Sequence, residues 1–180
     1  MFAPRVRADA FHYGEIYMSP IARTLAAGAA LFAMAAGSVA IAQNYTLPPT
    51  YGTLNLSANF RPDPQVVNVV SGGGGQGTID AATLGSPCVG IISNAPDVRL
   101  NYAAGQYQLM ISVDSAADTT LAINGPDGRW YCDDDGGNNG MNPLVRFTNP
   151  GSGQYDIYVG TYGRNTNEQA QLYISEIGTR

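Results

Sequence analysis

Gln106-Tyr107-Gln108-Leu109-Met110-Ile111-Ser112-Val113 decides the fold class. Tyr107, Leu109, Ile111 and Val113 fall at every second position with Gln108 and Ser112 between them, the period of a strand that turns one face to a core and one to water. Tyr155, Ile157 and Val159 alternate in the same way with Gln154, Asp156 and Tyr158, and Ala170, Leu172 and Ile174 with Gln169, Gln171, Tyr173 and Ser175. Further strands are expected at 65–70, 88–92, 98–102, 119–123, 129–132 and 144–148, each bounded by Gly, Pro, Asn, Asp or Ser. No stretch after residue 42 sustains the 3.6-residue repeat of an amphipathic helix. About eight or nine short antiparallel strands bury their apolar faces better in two packed sheets than in one, so the sequence predicts an all-β sandwich or jelly roll.

The N-terminal part reads differently. Residues 24–36 are an Ala-rich apolar run too short to cross a bilayer, and Ala40-Ile41-Ala42 supplies a small-x-small cleavage signal. Residues 1–42 are therefore expected to be a signal-peptide region cut after Ala42, with Met18 as an alternative start. Residues 43–59 form a candidate arm containing Pro48 and Pro49, and 60–180 the folded domain. Nothing after the cut is long and apolar enough to span a membrane, and no Cys stands at the cut to carry a lipid, so export to the exterior, the cell surface or the periplasm is expected.

Beyond residue 42 the chain has twelve acidic residues against six arginines and no lysine, a net charge of −6 (6 − 12). Nucleic acid is a poor partner for it, because phosphate binding needs clustered cations. Cys88 and Cys132 are the two cysteines, and in an oxidising compartment they are expected to pair; two buried thiols are the alternative. A loop of that length would stabilise the fold by roughly 4 kcal/mol on the chain-entropy model. Ser71-Gly72-Gly73-Gly74-Gly75 reads as a flexible connection rather than a phosphate cradle, since no Lys-Ser/Thr pair or helix follows it.

Cys132-Asp133-Asp134-Asp135-Gly136-Gly137-Asn138-Asn139-Gly140 gathers carboxylates, side-chain amides and permissive backbone in one connection. Calcium takes six to eight oxygens of these kinds, and a divalent ion would relieve the repulsion among three adjacent aspartates. Asp118 and Asp127, in the preceding hairpin, are candidates to complete a shell made by Asp133, Asp134, Asp135 and Asn138. The spacing is not that of an EF-hand. The competing reading takes Asp, Asn and Gly as plain turn formers in a solvated loop.

The stretch from Gly105 to Ser175 also resembles the bacterial pre-peptidase C-terminal domain. The resemblance rests on Ala117-Asp118-Thr119-Thr120-Leu121, Gly125-Pro126-Asp127-Gly128, the Asp133 to Asp135 cluster and Gly153-Gln154-Tyr155-Asp156-Ile157-Tyr158-Val159-Gly160, in that order. It implies a calcium-associated β-sandwich of secreted proteins, with Asp118, Asp133, Asp134 and Asp135 at the acidic positions.

The one histidine, His12, lies before the cut, so neither a Ser-His-Asp nor a Cys-His site can form after it, and the lack of lysine removes a Ser-Lys dyad. A non-catalytic role is expected. The first expectation is a structural or self-assembling surface module, a homopolymer made by strand addition, because no lysine guards the sheet edges and residues 43–57 are free to be donated. The alternative is a module that binds a glycan or a surface protein, formerly accessory to a secreted peptidase, with Trp130, Tyr131, Tyr158 or Tyr162 as stacking platforms.

Overall fold

Runs rich in Val, Ile, Tyr and Thr pair into two sheets in the computed structural model, which describes residues 45–72, 77–163 and 166–178. The signal-peptide region and Gly73 to Gly75 of the glycine run lie outside the described residues. Eleven strands are present among those described, two more than the nine segments marked in the sequence: β1 (Thr53–Ser57), β2 (Gln65–Val70), β3 (Thr78–Asp80), β4 (Ile91–Ser93), β5 (Val98–Ala103), β6 (Leu109–Ser115), β7 (Thr119–Asn124), β8 (Trp130–Asp133), β9 (Leu144–Phe147), β10 (Gly153–Thr161) and β11 (Gln169–Ser175). The two additions are β1, inside the stretch read as an arm, and the three-residue β3. The segment expected at 88–92 forms later, as β4, because Pro87 and Gly90 hold the residues before it out of extended pairing.

One sheet follows the order β2-β11-β6-β9. The other is built on β10. Asp156 pairs with Arg99 of β5 and Asn124 of β7, and Thr161 with Ile91 of β4 and Thr119 of β7, so β7 runs along one edge of β10 while β5 and then β4 share the other. Beyond them lie β8 against β7, β3 against β4, and β1 against β5. Every pairing is antiparallel except β1 with β5, which is parallel from Thr53↔Arg99 to Ser57↔Ala103.

The inward faces make one core. Val98, Leu100 and Tyr102, Leu121 and Ile123, and Tyr155, Ile157 and Val159 from the β10 sheet meet Val69, Leu109, Ile111, Val113, Val145, Ala170, Leu172 and Ile174 from the other. At about 25 cal/mol per Å² of apolar surface removed from water, this contact is the main stabilising term. The alternation in 109–113, 155–159 and 170–174 thus points where it was expected to. Tyr107 is the exception, since it precedes β6 and stands half exposed.

A second, smaller core covers the outer face of the β10 sheet, and period-two reasoning does not anticipate it. Ala81, Cys88, Ile92, Ala122 and Tyr158 are buried together there, with Ile79, Leu84, Trp130 and Cys132 packed against them. A short 3-10 turn, Ala81–Leu84, lies in this layer, capped by Asp80, whose carboxylate accepts from the Ala82 N–H at 2.9 Å. The Cys88–Cys132 disulfide ties the layer to β8. With both faces covered, β7 and β10 are buried almost continuously, and Tyr158 is inside instead of on a polar face. Gly90 and Gly160 allow the close approach. A Cβ on Gly160 would stand 2.4 Å from Thr120 Oγ1 and 2.8 Å from the Ile91 carbonyl oxygen.

Residues 45–58 are held at several points. The N–H groups of Thr50 and Tyr51 donate to the carbonyls of Pro96 and Asp97 at 2.8 Å, and the Val70 N–H donates to the Tyr51 hydroxyl at 2.9 Å, which links the edges of the two sheets. Arg99, ion-paired with Asp156 at 2.7 Å, also donates through Nη2 to the carbonyls of Tyr45 and Leu47. No helix among the described residues is long and apolar enough to cross a membrane.

Candidate functional site

The acidic connection leaves β8 and returns to β9, and its base is set by the β7–β8 hairpin. That hairpin pairs Leu121 with Asp133 and Asn124 with Trp130. Asp134 and Asp135 follow directly at the start of the connection, at the end of the hairpin where Asp118 precedes β7. The electrostatics agree with this placement. Burial, then the charges of Asp135 and Asp134, push the Asp118 carboxyl above the usual carboxylate range. Burial, then Asp135 and Asp133, raise Asp134. Asp118 Oδ1 is buried and has no hydrogen-bond partner among the described residues, a costly position for a charged oxygen.

Asp133 does a different job. Its Oδ2 accepts from the Gly136 N–H at 2.7 Å and from the Leu144 N–H at 2.8 Å, so the carboxylate closes the loop on itself. A Cβ on Gly136 would come 2.5 Å from that oxygen, so a side chain there would push the Asp133 carboxylate aside. Asn142 is the residue that sequence reasoning missed. It is buried, takes the Thr119 hydroxyl on Oδ1 at 2.5 Å, gives its amide to the Ser115 carbonyl at 2.9 Å, and accepts the Gly137 N–H on its backbone oxygen at 2.8 Å. Nothing in the sequence distinguishes it from Asn138 or Asn139, its neighbours in the same polar run.

Asp127 does not join this group. It sits at the turn of the hairpin, beyond the far end of β7, about 20 Å from Asp118 at the usual strand rise. There Oδ1 accepts from the Arg129 N–H at 3.1 Å and Oδ2 from the Tyr131 hydroxyl at 2.8 Å. The Tyr131 hydroxyl, then the Arg129 N–H, hold its carboxyl below the usual range. The length of the hairpin thus sets Asp127, at its turn, apart from Asp118 at its open end. Asn138 is exposed in the loop.

The oxygens of Asp118, Asp134 and Asp135 are of the kind that hard cations take. Their present spacing is open: among the described residues no three His, Cys, Asp or Glu side chains converge closely enough to hold a metal together. Three of the four aromatic residues suggested as stacking platforms are engaged in packing. Trp130 lies 5.6 Å from the buried Tyr158 ring and Tyr131 packs edge-on against Phe147, which leaves only Tyr162 well exposed.

No protein-family model matches the chain, and no curated protein matches it. The chain is similar to several solved structures, two of which follow. One is the pre-peptidase C-terminal domain of a collagenase from Bacillus anthracis, with 14% identity, coverage of 72% of this chain and 98% of that chain, and a TM-score of 0.42. The other is PliG of Aeromonas hydrophila, a periplasmic lysozyme inhibitor of g-type lysozyme, with 11% identity, coverage of 68% of this chain and 96% of that chain, and a TM-score of 0.35.

Proposed function

We propose that the chain is an exported, non-catalytic β-sandwich module whose acidic loop is drawn together by a calcium ion, and that it works by binding or assembly at the cell surface. The observation that carries the calcium reading is Asp118. Its Oδ1 is buried without a partner among the described residues, and burial and then the charges of Asp135 and Asp134 raise its carboxyl, a cost that a divalent cation would turn into a tie between β7 and the loop. Asp118 and Asp134 would supply carboxylate oxygens, and Asp135 with the loop's amides and carbonyls the remainder. Asp133 stays in its structural role.

Export is supported by the apolar leader with its Ala-x-Ala ending and by the disulfide. Assembly is supported by β1, an edge strand with no charged residue. Thr53–Ser57 of the stretch expected to be donated already pairs within its own chain, so strand addition would use the outer edge of β1 itself.

The test is thermal unfolding of the protein in calcium and in chelator, with particle size followed alongside. Calcium is expected to raise Tm by about 5 °C or more. Asp118→Asn should melt higher than the parent in chelator, because repulsion is relieved, and lose most of the calcium increment. Identical melting of the parent in both buffers overturns the calcium reading, and a monomer at all concentrations with calcium overturns assembly.

A further inference from the structure

Four steps in the described chain place glycine directly after Asn or Asp: Asn124-Gly125, Asp127-Gly128, Asp135-Gly136 and Asn139-Gly140. Such steps carry an intrinsic reactivity. The backbone nitrogen of the following residue can attack the side-chain carbonyl carbon, and glycine, lacking a Cβ, leaves the approach open. For Asn, the bond from that nitrogen to Cγ forms as the Cγ–Nδ2 bond breaks. The amide proton leaves with ammonia, and water then opens the cyclic imide to aspartate or isoaspartate. The nitrogen must be free to lose its proton and swing toward Cγ, so a hydrogen bond on that N–H protects the step.

Three of the four are protected. The Gly125 N–H donates to the Arg129 carbonyl at 2.9 Å and the Gly128 N–H to the Gly125 carbonyl at 2.9 Å. The Gly136 N–H is held by Asp133 Oδ2 at 2.7 Å. Gly125 is buried as well, and its would-be Cβ meets the Tyr131 ring at 2.9 Å.

Asn139-Gly140 is different on every count. The Gly140 N–H has no partner among the described residues, both residues are exposed, and nothing lies within 4 Å of the position a Cβ would take. The Asn139 side chain is already folded over its own backbone, with Oδ1 accepting from the Met141 N–H at 3.1 Å. That hydrogen bond draws electron density from the carbonyl whose carbon is attacked.

We infer that Asn139 is a self-modification site, which converts without an enzyme to a carboxylate and makes the loop carrying Asp133, Asp134 and Asp135 one charge more acidic. The inference does not depend on a bound cation.

The purified protein, aged in mildly alkaline chelator-containing buffer and peptide-mapped by mass spectrometry with isoaspartate labelling, tests it. Conversion at Asn139 is expected to run roughly tenfold or more ahead of Asn124, the factor that one protecting hydrogen bond supplies. In denaturant the two sites should approach one rate, and Gly140→Ala should slow Asn139 while leaving Asn124 unchanged. Equal native rates, Asn124 leading, or no conversion at Asn139 over the period in which denatured protein converts would each overturn it.

Discussion

Among the described residues, Asp97 is a carboxyl with no ion-pair partner inside the sandwich wall. It is 3% exposed, its Oδ2 accepts the Val159 N–H at 2.7 Å, and burial pushes its pKa up to about 7 against the lowering effect of that hydrogen bond. A carboxyl whose folded pKa lies above its unfolded value binds its proton more tightly in the folded state, so stability is highest when both states are protonated and falls as pH rises. The window runs from the unfolded value near 4 to about 7, and the loss across it is at most about 4 kcal/mol. Asp97→Asn keeps an acceptor for Val159 and removes the titration. Denaturant unfolding at several pH values should find the variant more stable than the parent at pH 8 and nearly equal to it at pH 4. The raised carboxyls of Asp118 and Asp134 have the same sign and deepen the parent's decline in chelator.

Two parts of the larger sheet depend on a few identifiable fastenings. The outer layer formed by β3, the 3-10 turn and β4 joins the β10 sheet through Thr161↔Ile91, the packing around Tyr158 and the Cys88–Cys132 bond. Cys88→Ala/Cys132→Ala is expected to cost about 2–4 kcal/mol, and hydrogen exchange should rise first at Thr78–Asp80 and Ile91–Ser93 while β6 and β11 stay protected. The segment before β1 is tied down by Arg99, through the carbonyls of Tyr45 and Leu47. With side-chain exposures of 17% and 3%, the Arg99–Asp156 pair is largely out of water, so Arg99→Ala strands a carboxylate that only the Gln154 amide still serves. A loss of about 3 kcal/mol is expected in urea, and Arg99→Ala/Asp156→Asn should recover part of it because the unpaired charge is gone.

At the scale of the whole molecule, the sandwich was legible because Leu109, Ile111 and Val113, Tyr155, Ile157 and Val159, and Ala170, Leu172 and Ile174 sit at strand spacing and face one core. The outer layer was not, since a covered outer face erases the alternation that marks a half-buried strand: Tyr158 and Asp156 read as solvent-facing and are inside. β1 was hidden for another reason. Thr53, Asn55 and Ser57 alternate with Leu54 and Leu56, but only two weakly buried leucines mark it, and its partner is chosen by topology rather than by neighbours in sequence. In the acidic loop, residue type pointed to Asp118, Asp134 and Asp135 as a group, whereas separating Asp133 and Asp127 from them needed hydrogen bonds and register.

The hub of the larger sheet is β10, which joins β5, β7 and β4 and lies near the C-terminal end of the chain. As the polypeptide emerges from a ribosome or a secretion pore, β1 and β5 can meet early, yet neither has a central strand to dock on until Gly153–Thr161 arrives. Long-range pairing of this kind gives a high contact order and slow, late folding. Such a chain completes its larger sheet only after nearly all of its length is available.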